Sequence, residues 1–335
     1  MYQRAQEVDQ EAGRGICTPA LSSVCLMDSV DSTNSYLART LNALPGEDAR
    51  ERVFRLGQQP GWQSLQAQGG QSERPAFPLL LALAIADQQT RCRGRLDRVW
   101  YNQAGQSFLA SWAAALPTDS LTGPTAGWLP MAVGMAVIGG LEETLTGCGA
   151  HNLTGVSSSQ ALLLKWPNDL FCSGRKLAGV LCEALPVGRQ WSVLVAGVGL
   201  NLFVPAPSLP TLESTSLQHS YGPLPEYESL RNQLAVSVSE HMSRELGALA
   251  QGGANERLQA CQSLRERVTE RSWTLGKRVE VRPVAGPSVV GTALQIAADA
   301  SLLVETDSGE QLRVSTADVG VLPSLPTADH SAGHT

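Results

Sequence analysis

Residues 161–201 read ALLLKWPNDLFCSGRKLAGVLCEALPVGRQWSVLVAGVGLN. This stretch contains three apolar runs, which are separated by segments rich in Pro, Gly, Asn and Asp. Short apolar runs bounded by such residues are typical of β-strands, and short connections favour antiparallel neighbours. The sequence therefore predicts an antiparallel meander with strands at 161–166, 175–184 and 191–201.

The N-terminal half predicts further strands and two helices around this meander. Ser32-Thr33-Asn34 precedes apolar residues at helical spacing, which indicates a capped amphipathic helix. Strands are predicted at 23–27 and 107–113. The continuous apolar run at 79–86 fits a buried strand, although periodicity alone does not exclude a helix. Residues 129–145 have helix-compatible apolar spacing despite Gly139-Gly140. Residues 45–78 are rich in Gly, Gln and charge, so we predict a mobile insertion there.

The C-terminal part changes pattern near Gly276. Two helices are predicted at about 226–250 and 255–271, and short β runs at 278–282, 289–296, 301–305 and 311–314 then indicate a small barrel-like β domain. The fold class is therefore α+β, a mixed sheet flanked by helices and followed by a small β-barrel. The predicted organisation is a disordered lead-in at 1–20, a main domain at 21–272, the β domain at 275–323 and a disordered tail at 324–335.

Composition excludes several classes of protein. The 335 residues carry a net charge of -6, which argues against a surface that binds nucleic acid as a whole. The seven cysteines form no C-x-x-C pair, and neither a signal peptide nor an apolar run of about 18 residues is evident. We therefore expect a cytoplasmic protein without a membrane span. The five histidines lack metal-ligand spacing and no Walker A pattern occurs, so zinc chemistry and a P-loop are not predicted.

Four arginines lie within residues 91–98, beside Gly94. Blocks of charge are commonly solvated loops, and on density alone this interpretation has as much support as a functional one. The functional interpretation is an anion clamp, because Arg91, Arg93 and Arg95 alternate and guanidinium groups match phosphate or carboxylate geometry.

Lys165-Trp-Pro-Asn-Asp169 ends the first strand of the meander. A core tryptophan and an Asn-Asp turn would explain part of it. However, Pro167 restricts the chain and holds Asn168 and Asp169 in a defined place, which suits a nucleotide or metal site.

Alternation along the next two strands assigns side chains to faces. Lys176, Ala178 and Val180 should share one face, away from Gly179. A lone lysine in a strand commonly lies at an edge or faces solvent, but in this otherwise apolar strand we expect its ammonium to point into a pocket or toward an anion. In the last strand, alternation predicts a bare groove lined by residues 197, 199 and 201, although packing explains these glycines equally well.

Taken in order, five segments resemble the signature of biotin–protein ligases: Asp31-Ser-Thr-Asn34, residues 89–100, Lys165-Trp-Pro-Asn-Asp169, Arg175-Lys-Leu-Ala-Gly179 and Gly197-Val-Gly-Leu-Asn201. The resemblance covers about residues 24–323, and the third and fourth segments are its most specific part. It implies a mixed sheet flanked by helices, followed by an SH3-like barrel. It also implies ATP-dependent formation of biotinyl-5'-AMP, with Mg²⁺, and biotin transfer to a lysine of a biotin carboxyl carrier domain of a carboxylase.

The resemblance also assigns roles to residues. Those implied to bind biotin are Ser32, Thr33, Asn34, Gln89, Arg93, Gly94, Arg95, Lys176, Gly179 and Gly197. Those implied on the nucleotide side are Trp100, Lys165, Asn168 and Asn201, with Asp169 a candidate for magnesium or for orienting Lys165. Lys176, Arg93 and Arg95 are the implied catalytic cations.

The sequence departs from the family pattern in the arginine-rich segment, and alternatives follow from this. Cys92 and Asp97 replace glycines and Arg91 replaces a small residue, which reduces backbone freedom. A non-catalytic biotin-binding sensor therefore stays open. A lipoyl or octanoyl ligase on the related fold is a second alternative, and a homodimer stays open as well. Only about 30 residues precede Ser32, fewer than the roughly 40 that a domain usually needs, so we expect a short-type enzyme without a DNA-binding domain.

Overall fold

The computed structural model describes residues 15–46, 48–65, 79–92, 94, 100–283, 286–315 and 317–322. It forms two compact units, Met1–Trp273 and Thr274–Thr335. The sequence predicted a main domain that ends at residue 272 and a β domain that begins at residue 275. The predicted tail at 324–335 and most of the lead-in lie outside the described residues. The prediction of disorder is wrong for residues 15–20, because Ile16 and Ala20 are fully buried and Thr18 Oγ1 donates to Glu240 Oε1 at 2.8 Å.

The elements of the first unit are, in chain order, β1 Leu21–Val30, α1 Thr33–Ala43, α2 Ala49–Leu56, β2 Gln63–Ser64, β3 Leu81–Gln89, β4 Ser107–Pro117, α3 Thr118–Thr122, α4 Leu129–Gly147, β5 His151–Asn152, α5 Ser158–Ala161, β6 Leu162–Lys165, β7 Asp169–Cys172, β8 Arg175–Pro186, β9 Trp191–Asn201, β10 Tyr221–Gly222, α6 Tyr227–Ala250 and α7 Ala254–Glu270.

Eight strands form the central sheet in the order β2-β1-β3-β4-β9-β8-β7-β6. The pair β1 and β3 is parallel and the other pairs are antiparallel, so the sheet is mixed as predicted. The predicted meander is present. It has one strand more than predicted, because the chain that follows the Pro-Asn turn continues directly into β7.

Helices cover both faces of the sheet. On one face, α1 and α2 bury Leu37, Leu41 and Val53 against alanines of β3 and β4. On the other face, α6 packs on β4, where Trp112 Nε1 donates to Ser239 Oγ at 2.8 Å. Both faces of β4 are therefore covered, which explains its continuous apolar sequence.

The prediction of a mobile insertion across 45–78 is wrong for residues 48–65, which fold onto the first unit. Asp48 caps α2 by accepting from Arg50 N, and Leu56 is fully buried. Trp62 stacks on Tyr36 of α1, and β2 then pairs with β1 at the sheet edge. The sequence misled because α2 is only eight residues long and strongly charged, so its apolar stripe is short. Residues 66–78 lie outside the described part of the chain.

The second unit is a five-stranded antiparallel sheet of the SH3-like kind. Its strands are β11 Arg278–Pro283, β12 Val289–Ile296, β13 Leu302–Thr306, β14 Gln311–Val314 and β15 Ala317–Val321, in the order β14-β13-β12-β11-β15. The sequence predicted the first four of these strands. Val279, Ala293, Leu302 and Val304 form its core.

Within the described residues, one helical stretch is long and apolar enough to cross a membrane by length and composition, residues Pro124–Gly147. About three fifths of its most apolar window, 61%, is buried inside the protein. Gly134 of α4 lies against Leu164 of β6, and Gly140 against Val238 of α6. These contacts are those of a helix packed between the sheet and a second helix.

Candidate functional site

The first turn of α1 places two hydroxyl groups and an amide at the sheet. Ser32 is the N-cap in extended conformation, and its Oγ accepts from Ser35 N at 3.4 Å. Thr33 N donates to Gln89 Oε1 of β3 at 3.0 Å. Ser32, Thr33 and Asn34 are all buried. The capping preference of serine thus fixes where this polar cluster sits.

Asn34 is bound to the sheet by both ends of its amide. Its Nδ2 donates to Glu183 Oε2 at 2.8 Å and to Leu181 O at 3.3 Å, both on β8. Its Oδ1 lies 2.6 Å from Ser111 Oγ of β4. A β-carbon on Gly197 would lie 2.1 Å from this Oδ1, so only glycine fits there. The predicted bare groove at residue 197 is therefore wrong, because Asn34 fills it.

Lys176 lies at the start of β8 and pairs with a carboxylate. Its Nζ donates to Asp169 Oδ1 at 2.7 Å, and the lysine side chain is 31% exposed. Asp169 was predicted as a metal ligand or a partner of Lys165. In the structure it contacts Lys176, because a bulge in β8 brings residue 176 opposite Phe171 and residue 178 opposite Leu170.

The same bulge overturns the predicted faces of β8. A β-carbon on Gly179 would lie 3.8 Å from Lys176 Nζ and 3.6 Å from Asp169 Oδ1, so Lys176 reaches the face of Gly179. Alternation had assigned these two residues to opposite faces. A bulge inserts one residue and thereby shifts the alternation, which periodicity along a single strand cannot reveal.

Trp100 covers Gly179 of β8 and Gly199 of β9. A β-carbon on Gly199 would lie 3.0 Å from the Trp100 ring, and one on Gly179 would lie 3.4 Å from it. The Lys176 ammonium lies 5.8 Å from the centroid of this ring. Within the described residues, Trp100 Nε1 is buried without a hydrogen-bond partner. An apolar platform with an unsatisfied donor therefore adjoins the lysine.

A segment that the sequence did not single out holds the backbone of Lys176. Lys176 N donates to Glu213 O at 2.7 Å, and Thr215 N donates to Lys176 O at 2.8 Å. Asn201 Nδ2 donates to Thr215 O at 3.0 Å, which ties the same segment to the end of β9. The signal was weak, since residues 213–215 carry no apolar period or charge cluster.

Lys165 and Asn168 lie beside this cluster but make other contacts. The Lys165 ammonium is 5.5 Å from the centroid of the Phe171 ring. Asn168 Nδ2 donates to Val180 O at 2.6 Å, and this bond connects the turn to β8. Trp166 is buried, as its core interpretation predicted.

Much of the arginine-rich segment, including Arg93 and Arg95, lies outside the described residues. At its start, Cys92 is buried, and burial raises the pKa of its thiol to about 11. Asn102 donates to Cys92 Sγ at 2.8 Å, and its amide also pairs with the backbone N and O of Gln89. Such a thiol stays protonated at neutral pH, and a protonated thiol is a poor nucleophile.

No group of three or more His, Cys, Asp or Glu side chains suited to a metal ion occurs in the part of the chain that the structure describes. The site therefore consists of a hydroxyl and amide cluster over Gly197 and a lysine with an aromatic platform over Gly199. Gly197 and Gly199 are two residues apart on β9, so they share a face of the sheet and lie about 7 Å apart.

Known proteins resemble this chain in sequence and in fold. The profile of the biotin/lipoate A/B protein ligase family matches residues 80–201. A biotin–[acetyl-CoA-carboxylase] ligase of Mycobacterium tuberculosis is 33% identical over 235 residues, which are 70% of this chain and 77% of that protein. A ligase with the same description from Paracoccus denitrificans is 31% identical over a region that covers 36% of this chain and 44% of that protein.

Among solved structures, a biotin protein ligase from Aquifex aeolicus in complex with biotin and ATP matches with a TM-score of 0.55 and 18% identity. The match covers 90% of this chain and 99% of the Aquifex chain. At this level of identity it shows a common fold. These findings define a ligase built on a mixed sheet flanked by helices. The chain belongs to the biotin/lipoate A/B protein ligase family.

Proposed function

We propose that the protein activates biotin with ATP as biotinyl-5'-AMP and transfers the biotinyl group to a lysine of a biotin carboxyl carrier domain. One observation carries this proposal. The Asn34 amide lies over Gly197, and the Thr33 hydroxyl is joined to it through Ser111. On the same face of β8 and β9, the Lys176 ammonium lies near Gly179 and the Trp100 ring covers Gly199. Biotin has a ureido ring at one end and a carboxylate at the other, and this face offers a group for each.

In the first step, a biotin carboxylate oxygen attacks the α-phosphorus of ATP. A bond forms between carboxylate and phosphorus, and the bond to pyrophosphate breaks. Both reactants are anions, so the site has to offset their repulsion and stabilise the charge of the transition state. Lys176 supplies one cation at this point, while Asp169 holds its ammonium in place. In the second step the carrier amine attacks the acyl carbon and AMP leaves.

The ring of biotin is proposed to bind Ser32, Thr33 and Gln89, with Gly94 and the glycines of β8 and β9 close to it. Asn34 supports this pocket through its bonds to β4 and β8. Arg93 and Arg95 are proposed to join Lys176 at the phosphate, since guanidinium groups match its geometry. Trp100, Lys165, Asn168 and Asn201 are proposed to lie on the nucleotide side.

Magnesium is proposed to enter with ATP. This ion is commonly held by one or two carboxylates together with substrate phosphates, so a protein cage of several ligands is not required. Asp169 is the candidate carboxylate, and its ion pair with Lys176, the proposed phosphate ligand, supports this role. Activity should disappear with EDTA and return with added Mg²⁺.

The proposed partner is the carrier domain of a biotin-dependent carboxylase, and the proposed location is the cytoplasm, where seven free cysteines would stay reduced. Retention of DNA in a gel-shift assay at physiological salt would contradict the absence of nucleic-acid binding. Light scattering on a purified sample would decide whether the chain forms a homodimer.

The decisive experiment combines the purified chain with ATP, Mg²⁺, biotin and a carrier domain, and the carrier is then weighed by mass spectrometry. We expect a gain of one biotinyl group that requires ATP. Replacing biotin with lipoate or octanoate tests the alternative ligases, which the relatives do not favour. Tight biotin binding without modification of the carrier would instead support a sensor.

A further inference from the structure

Four polar side chains form a continuous hydrogen-bonded chain from β8 to the start of α1. Glu183 Oε2 lies 2.8 Å from Asn34 Nδ2, Asn34 Oδ1 lies 2.6 Å from Ser111 Oγ, and Ser111 Oγ lies 2.6 Å from Thr33 Oγ1. Ser111 is fully buried, and Thr33 and Asn34 are nearly so. Water therefore has little access to these bonds, and the protons have to be distributed among the four groups.

The contacts of Asn34 with β8 determine which group donates in each of these hydrogen bonds. A backbone carbonyl can only accept, so Leu181 O requires the amide nitrogen of Asn34, and Glu183 Oε2 accepts from the same nitrogen. The amide oxygen of Asn34 consequently faces Ser111. Because an amide oxygen can only accept, the single proton of the Ser111 hydroxyl points at Asn34.

The direction of the last bond follows. Two hydroxyl oxygens 2.6 Å apart need a proton between them, and the proton of Ser111 is already committed to Asn34. The Thr33 hydroxyl therefore donates to Ser111, and only its lone pairs remain for another group. The neighbouring Ser32 Oγ accepts from Ser35 N and keeps its own proton to donate.

We propose that Glu183, Asn34 and Ser111 act together as a specificity-determining relay that turns the Thr33 hydroxyl into an acceptor beside the Ser32 donor. This inference rests on the proposed function and deepens it. A donor next to an acceptor matches the edge of a cyclic urea, in which a carbonyl adjoins an N–H. A dithiolane ring or an alkyl chain offers neither group, and sites built to hydrogen-bond a substrate reject analogues that lack the bonding groups.

The first test is Ser111→Ala, which removes the acceptor for the Thr33 proton without touching the ligand. Thr33 then rotates freely, so we expect KM for biotin in ATP-dependent pyrophosphate release to rise about tenfold, in line with the loss of one buried hydrogen bond. KM for ATP and kcat should change less than about twofold, since the relay stabilises biotin alike in the ground and transition states.

The matched control is Ser107→Ala, which removes a buried hydroxyl four residues earlier on the same face of β4. Within the described residues this hydroxyl has no hydrogen-bond partner. KM for biotin should therefore stay at the wild-type value. Thermal unfolding of both variants separates a general loss of packing from a selective loss of biotin binding.

A second test reverses one bond of the relay. Asn34→Asp places an acceptor opposite Glu183, so biotin binding should weaken strongly, and adding Glu183→Gln supplies a donor and should restore part of it. A wild-type chain that is inactive with biotin would overturn the proposed function itself. An active wild type, together with an unchanged KM for biotin in Ser111→Ala or no recovery in the double variant, would overturn the relay alone.

Discussion

Lys176 shows how single residues of the site are held by groups from three separate segments. Its ammonium pairs with Asp169 of β7, its backbone pairs with Glu213 and Thr215, and the ring of Trp100 lies beside it. Such fixed charge is useful in catalysis because no reorganisation is needed when charge develops in the transition state.

Replacement of this lysine should abolish adenylate formation. Lys176→Met removes the cation but keeps an unbranched apolar chain as far as the position of Cε, and loss of one such group typically lowers the rate about 10²–10³-fold. Pyrophosphate release with ATP and biotin measures the effect, and circular dichroism checks the fold. The control is Lys277→Met, which removes a lysine cation from the second unit, where burial lowers the lysine pKa to about 8. Near-normal activity of Lys176→Met would remove this lysine from the mechanism.

A second prediction for a single residue concerns Gly197. A β-carbon there would lie 2.1 Å from Asn34 Oδ1, so Gly197→Ala should displace α1 and raise KM for biotin more than tenfold. The control is Gly147→Ala at the end of α4, where a β-carbon meets nothing within 4 Å. That variant should keep full activity and be slightly more stable, because alanine favours helix. Equal biotin kinetics in the two variants would contradict the close packing of Asn34.

At the scale of elements, α2 packs beside α1 on the same face of the sheet, and β2 joins that sheet at its edge. Trp62 Nε1 donates to Tyr36 Oη at 3.1 Å, and Arg52 caps the end of α1 by donating to Leu41 O at 3.2 Å. Arg50 lies over the ring of Trp191 at 4.6 Å. The segment 48–65 is therefore part of the domain core and of the support for the proposed biotin pocket.

Truncation of Trp62 should destabilise the first unit. Loss of a buried aromatic side chain costs about 3–5 kcal/mol, and we expect Trp62→Ala to lower the free energy of unfolding by about 3 kcal/mol. Phe54→Ala provides the comparison, since this residue of α2 is 51% exposed and should cost less than about 1 kcal/mol. Denaturant titration followed by circular dichroism measures both. Similar losses in the two variants would mean that α2 and Trp62 do not pack as described.

At the scale of the whole molecule, buried thiols link stability to alkaline pH. Burial raises the pKa of Cys25 and of Cys92 from 9.0 to about 11. The unfolded chain therefore loses these protons first as the pH rises, and stability decreases from about pH 9 until the folded thiols titrate near 11.

We therefore expect these two thiols to leave the free energy of unfolding unchanged between about pH 7 and 8.5 and to lower it above about pH 9. Denaturant titrations at several pH values measure this dependence. The variant Cys25→Ala with Cys92→Ala should be less stable at neutral pH but show a shallower decrease above pH 9. A slope that is the same in the variant and in the wild type would exclude the thiols as its cause.

The sequence by itself determined the fold class, most strands of both units and the residues with chemistry at their ends. It could do so because hydrophobic periodicity and turn residues act locally, and because the motifs from Lys165 to Gly179 are continuous in the chain. It failed at the segment 48–65, where a short and strongly charged helix gains its stability from α1 and β1.

Only the tertiary structure decided which groups meet. The bulge in β8 moved Lys176 to the face of Gly179 and beside Asp169, and Asn34 and Trp100 filled the space over the glycines of β9. Ser111 and Glu183, which are separated by 72 positions, join the start of α1 to two strands. Strand register and side-chain packing depend on contacts distant in sequence, so no pattern along a single segment could predict them.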